Sequence, residues 1–279
     1  MRVLIFSQYF PPEVTAAAPR VHAFASGLAQ RGHDVHVICE VPNHPGGEVY
    51  SGYGEKRWAD RRELDGFRVS YVPVRVRREK STRNRLLFYG TYAASAALEG
   101  FADGHPDVVL ASSPPLPVGA AAAAVAARHR APWVFDVRDL WPEAAVVLGE
   151  LRGARAIRAA ERLESFLYRS AGAIVTVTEP FREQIAAQVP GARIEVIPNG
   201  TTRIWLEAGE APADREAAGM PADRFVWMYA GNFGIAQGLE TAVRAAALLG
   251  DEFRLVLLGD GPEREQLTRL AAEAAPGQV

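Results

Sequence analysis

The chain of 279 residues holds one cysteine, Cys39. A lone thiol makes no intrachain disulfide and no cysteine-based zinc site, and such sparse usage fits a cytoplasmic location. Lysine is almost missing: Lys56 and Lys80 are the two in the sequence, so arginine carries nearly all positive charge. That bias, with the abundant alanine, points to GC-rich coding and says little about activity. Neither sign of charge dominates, and a formal net charge of -2 gives no bulk attraction for nucleic acid. No stretch approaches the roughly 18 apolar residues of a membrane span. The opening run Met1–Phe6 is too short for a signal peptide, because polar residues follow at once.

Several chemical signatures are missing as well. No G-x-G-x-x-G follows the first predicted strand, which disfavours dinucleotide oxidoreduction. There is no Walker A lysine and no G-x-S-x-G elbow. The six histidines, His22, His33, His36, His44, His105 and His129, are scattered and never form H-E-x-x-H, so no metal site is expected. Asp-x-Asp, a short motif that holds a metal-bound diphosphate in many sugar transferases, does not occur.

What is present is an alternation of short apolar runs and amphipathic stretches. Strands are predicted at Val3–Phe6, Val35–Cys39, Arg68–Val72, Val108–Ala111, Trp133–Val137, Ala173–Val177 and Ile194–Ile197. Helices fit Arg20–Gln30, Arg85–Phe101, Val118–Arg128, Ala154–Ser170 and Glu179–Gln188. Strands that are apolar throughout suit a parallel sheet covered on both faces, with right-handed crossovers. This predicts a doubly wound, Rossmann-like domain over residues 1–200. Residues 201–220 read as a linker. A second βαβα run follows over 221–279: strand Phe225–Tyr229, helix Leu239–Leu249, strand Phe253–Leu258 and helix Glu263–Ala274. Two strands do not make a Rossmann core, so this half is expected to be a partial domain, part of something longer.

Ligands of open parallel sheets bind beyond the carboxyl ends of the strands. After the first strand come Thr15 and Ala16, small residues before a helix, suited either to a phosphate or to a capped surface loop. Ser112 and Ser113 follow the fourth strand as candidate acceptor contacts. The fifth is followed by Asp136-Val137-Arg138-Asp139-Leu140-Trp141-Pro142-Glu143. Carboxylates for sugar hydroxyls and an arginine for phosphate suit a sugar site, with Arg138, Asp139 and Glu143 as catalytic candidates and Trp141 on the acceptor. A buried ion-pair network pinning the loop is the other reading. In the second half, Gly231, Asn232, Gln237 and Gly238 follow one strand, and Asp260 and Gly261 the next. Both turns suit a nucleotide diphosphate on backbone N–H groups, or ordinary strand-to-helix architecture. The segment Arg75–Arg85 has six basic residues in eleven and one acid, and Leu86-Leu87-Phe88-Tyr89 follows. It suits an anionic membrane surface, or a solvated loop before a core helix.

Taken in order, YFPPE at 9–13, DVRDLWPE at 136–143, VIPNG at 196–200, YAGNFGIAQGLE at 229–240 and LLGDGPERE at 257–265 resemble the family 4 glycosyltransferases. These are retaining enzymes of the GT-B fold, and the likeness is to the bacterial branch that builds O-antigen and capsule, which includes fucosamine transferases. The resemblance implies an acceptor-side N-terminal half, a C-terminal half that holds a nucleotide sugar without a metal, and a cleft between them. The acceptor would be lipid-linked or a glycan, and the location cytoplasmic, peripheral to the inner face of the membrane. Arg138 stands where many members carry a histidine, and Asn232 and Gln237 stand where many carry an Arg/Lys pair on the diphosphate. The family's paired glutamates, with seven residues between them, have no counterpart: Glu40/Glu48, Glu55/Glu63 and Glu265/Glu273 share the spacing but not the context. Little transfer is therefore expected from these 279 residues by themselves. A sugar-nucleotide epimerase of the same fold, or a non-catalytic binding subunit, are the alternatives.

Overall fold

The computed structural model describes residues 1–15, 17–44, 47–54, 57–77, 82–149, 151–201, 214–215, 217 and 219–279. Ala16, most of the predicted linker 201–220, and Arg78 to Ser81 lie outside the described residues. The chain divides into two compact units, Met1–Arg203 and Ile204–Val279.

In the first unit, strands β1 (Arg2–Ser7), β2 (Asp34–Glu40), β3 (Asp60–Leu64), β4 (Phe67–Val72), β5 (Val108–Ser113), β6 (Trp133–Val137), β7 (Ala173–Thr176) and β8 (Ile194–Val196) form one sheet. Its order is β3-β4-β2-β1-β5-β6-β7-β8, parallel except for β3 against β4. Helices α1 (Ala17–Ala29), α2 (Thr82–Ala102), α3 (Pro117–His129), α4 (Glu143–Val147), α5 (Ala154–Ser170) and α6 (Glu179–Gln188) make the connections. Strand β1 shows why its residues are apolar without alternation. Leu4 and Phe6 enter one core cluster and Val3 and Ile5 another, so both faces are covered. Winding reverses between β1 and β5. This switch point opens the carboxyl edge of the sheet to the segments after β1, β5 and β6.

Two elements differ from expectation. Strand β3 is antiparallel and largely charged, because it is an outer strand with one face in water. Asp65 and Gly66, with φ of 48° and 82°, form the two-residue turn that joins it to β4. Helix α4 is one short turn after Pro142, below the length that periodicity reveals.

In the second unit, β9 (Phe225–Asn232) and β10 (Phe253–Asp260) pair in parallel, from Phe253 opposite Phe225 to Asp260 opposite Asn232. Helices α7 (Leu239–Ala246) and α8 (Arg264–Ala274) pack on them through Phe233, Leu239, Val243, Leu255 and Leu267.

Candidate active site

The carboxyl end of β6 in the first unit carries a charged network. Asp136 is fully buried, and the low dielectric there demands partners for its carboxylate. It has three. Arg20, from the first turns of α1, bonds both oxygens, Nη2 to Oδ1 at 2.8 Å and Nε to Oδ2 at 3.3 Å. The Ser112 hydroxyl donates to Oδ2 at 2.7 Å. Arg138 Nε lies 4.0 Å from the same oxygen and donates to the Ser112 hydroxyl oxygen at 3.0 Å. The backbone N–H of Arg138 also bonds the Ser113 carbonyl, so the loop is fixed at its root. Ser112 and Ser113 are both buried beneath this edge, and the Ser112 hydroxyl is fully engaged. The ion-pair reading thus describes the root of the loop, which Asp136 and Ser112 hold together, while Asp139 and Glu143 further along it are exposed.

Arg138 is a tenth exposed. Burial pulls its guanidinium below the ordinary arginine value, opposed by Asp136 and Asp139. Among the described residues its Nε alone has a hydrogen-bond acceptor. Asp139 keeps an exposed side chain, yet the surrounding protein raises its carboxyl pKa by desolvation, opposed by Arg138. Trp141 packs half-buried on the core. Glu143 opens α4 and accepts from Gln184 of α6 at 2.8 Å, away from Arg138, on an open cavity of about 610 Å³ with Leu140, Val146 and Ile157. Thr15 accepts the Ala18 backbone N–H at 3.3 Å and so serves the first turn of α1.

The ends of β1 and β2 hold a second polar cluster that the sequence did not suggest. Glu13 accepts the backbone N–H groups of Asn43 and His44 at 2.7 and 2.9 Å. Glu40 accepts from Gln8 at 2.7 Å and from Asn43 at 2.8 Å. Desolvation raises the Glu40 carboxyl well above its ordinary value, with Glu13 adding to the rise. Desolvation raises Glu13 as well, against its backbone hydrogen bonds. Arg20 is the other residue missed. Its sign was an arginine on the same stripe as Ala17 and Val21, the buried face of α1.

In the second unit, the residues singled out after β9 and β10 are brought together. Gly231 and Asn232 lie in register with Gly259 and Asp260 at the carboxyl ends of the pair. Gly259 approaches so closely that a Cβ there would fall 1.8 Å from the Gly231 carbonyl oxygen. A Cβ on Gly234 would fall 2.6 Å from Gln237 Oε1 and 2.7 Å from Asn232 Nδ2, so these two amides converge over one backbone position. Gly238 is left-handed at φ 58° and starts α7. Asp260 Oδ1 accepts the Gly261 N–H at 2.8 Å. Among the described residues, no group of three or more His, Cys, Asp or Glu side chains is placed to hold a metal ion. No described helix is long and apolar enough to cross a membrane.

The family model described as glycosyl transferase 4-like domain matches residues 15–200. That is more than half of the chain, and the chain belongs to this family of glycosyltransferases. An Escherichia coli (strain K12) protein named as a colanic acid biosynthesis glycosyl transferase, WcaI, is 26% identical over 288 residues, covering 98% of this chain and 69% of its own length. Among solved structures, sucrose-phosphate synthase from Thermosynechococcus elongatus superposes with a TM-score of 0.67 at 18% identity, covering 99% of this chain and 68% of that one. Anabaena HepE in complex with UDP and glucose superposes at 0.62 and 16%, covering 99% and 67%. These likenesses show an α/β fold of the GT-B type. The family is one of transferases, which leaves the epimerase alternative with the weaker support.

Proposed function

We propose that this chain moves a sugar from a nucleotide-diphosphate donor to a lipid-linked or glycan acceptor in the synthesis of a cell-surface polysaccharide, with retention at the anomeric carbon, and slowly, because the family's paired glutamates have no counterpart among its residues. The observation that carries the reading is Arg138 beside Asp139 on the carboxyl edge, the arginine anchored through Nε alone and the carboxylate exposed. In the transfer, the bond from the sugar C1 to the diphosphate oxygen breaks and a bond from C1 to an acceptor oxygen forms on the face that the diphosphate leaves, which keeps the anomeric configuration. The diphosphate leaves with the electron pair. The acceptor hydroxyl gives its proton to Asp139, a carboxylate made more basic by desolvation. Arg138 offers its remaining N–H groups to oxyanions. Asn232 and Gln237, with the backbone about Gly231, take the donor diphosphate. No metal is assigned a part. The colanic acid transferase among the relatives supports the substrate class.

The test is a panel of labelled nucleotide sugars incubated with membrane-extracted acceptors. Label should enter the lipid or glycan fraction, and Asp139→Asn should lower turnover about 10²-fold with little change in melting temperature. Label that stays in the nucleotide-sugar pool as an epimer would overturn the reading, as would binding without turnover.

We also propose that Arg75–Tyr89 meets an anionic membrane surface. Leu86, on the first turns of α2, is 57% exposed and so is not a core residue. Each basic residue near such a surface adds roughly 1 kcal/mol of attraction. Co-sedimentation with anionic vesicles should weaken as salt rises, and salt-independent binding would refute the idea.

A further inference from the structure

Arg20 touches more of the edge than any candidate named from sequence. Its Nε and Nη2 bond the two oxygens of Asp136 at 3.3 and 2.8 Å. The second Nη2 hydrogen goes to the Ile197 carbonyl at 3.0 Å. Nη1 donates to the Pro198 carbonyl and to Asn199 Oδ1, both at 3.2 Å. A guanidinium has five N–H groups, and here all five have acceptors. The side chain is 6% exposed, and Phe24, one turn on, stacks beneath the guanidinium carbon at 4.8 Å from its ring centre.

Two conclusions follow from the saturation. Arg20 has no donor left for a phosphate or a sugar, so it is not a ligand contact. It joins two parts of the edge that do come to the surface. Through Asp136 and Ser112 it fixes the root of Arg138. Directly, it holds Pro198 and Asn199, exposed residues past the end of β8, where the described hydrogen bonds to both come from Arg20. We infer that Arg20 is the positioning residue of the transfer site, one side chain that sets Arg138 and Asn199 in a common geometry. Lysine, with three donors and no fork, does not reproduce it. Part of the test rests on the transferase reading above and part does not.

The independent part is hydrogen exchange. In Arg20→Ala, amides over 197–201 should exchange at least tenfold faster, and guanidinium ion at low millimolar concentration should restore their protection while methylammonium does not. Unchanged exchange in Arg20→Ala overturns the inference, whether or not any donor is turned over. The dependent part is kinetic. Misplacing a reacting geometry by about 1 Å costs on the order of 10²-fold, so kcat should fall by about that factor with KM for the donor within threefold. Guanidinium should recover the rate, and Arg20→Lys should stay at least tenfold slow. Arg20→Ala/Asp136→Asn controls for folding, because it removes the unpaired buried charge. Its rate should remain low although its stability recovers. Rates that follow melting temperature across the series, or a Lys variant with normal kcat, would make Arg20 a structural residue only. A wild-type protein inactive on every donor would count against the transferase reading and leave the exchange result to decide the role of Arg20.

Discussion

At the end of β6, order is kept by charge: a fully buried carboxylate, two guanidiniums and a hydroxyl, each bonded to the next. At the ends of β9 and β10 the backbone itself keeps order. Glycines let the two strands approach, neutral amides lean over the turn, and Asp260 closes on its own neighbour's N–H. The first edge is specific in which side chains it needs. The second is specific in which side chains it forbids. On the proposed reading a diphosphate suits the second, because amide groups and backbone N–H donors carry no charge that needs a partner. On the same reading an arginine that keeps donors for an incoming oxyanion suits the first, where Asp136 and Asp139 together offset the charges of Arg20 and Arg138.

The comparison breaks most sharply at Gly259. An alanine there sets a Cβ against a carbonyl oxygen of the paired strand, which no rotamer relieves. Gly259→Ala should destabilise the second unit by about 3 kcal/mol or more, the upper range for overpacking, and leave the first unit's exchange pattern unchanged. Exchange read over β9 and β10 checks it, and a normal pattern there would mean that the backbone contact is not a constraint. A smaller effect sharpens the other side. Glu40 is a buried carboxyl with raised pKa, so the stability it allows is greatest below its ordinary value of 4.5 and is lost as pH rises through the raised one. Glu40→Gln removes that loss. The Gln8 Oε1 atom, buried and without a partner, is available to accept from the new amide if the Gln8 amide turns over. The variant should therefore be more stable than the parent by about 1 kcal/mol at pH 8, with the gap closing toward pH 4. A gap of the same size at both pH values would show that folding leaves the carboxyl's pKa unshifted.

Most of the first unit's sheet was legible because covered strands have no other way to read: Val3–Phe6 is apolar on both faces, and Val35–Cys39 is apolar but for His36. Strand β3 escaped because its residues are Asp60, Arg61, Arg62, Glu63 and Leu64, charged as an outer strand is. The Asp65-Gly66 pair was its available signal. Position after a strand picked out Arg138 and Asp139 correctly as members of one loop, but could not say which of their atoms were already used. That depends on Ser112 and Arg20, which lie 26 and 118 residues before Arg138 and meet it only through the sheet order. Glu13 and Glu40 were equally hidden, since a carboxylate in a sequence carries no mark of being buried.

Strand β3 has a consequence of its own. Arg61 and Arg62 present charged side chains along one of the sheet's two outer lines of N–H and C=O groups, and Arg61 reaches back to Glu99 of α2. A neighbouring molecule that tried to extend the sheet at this border would have to strip water from those guanidiniums. Sheet-to-sheet association at this border is thereby opposed by a charged hairpin.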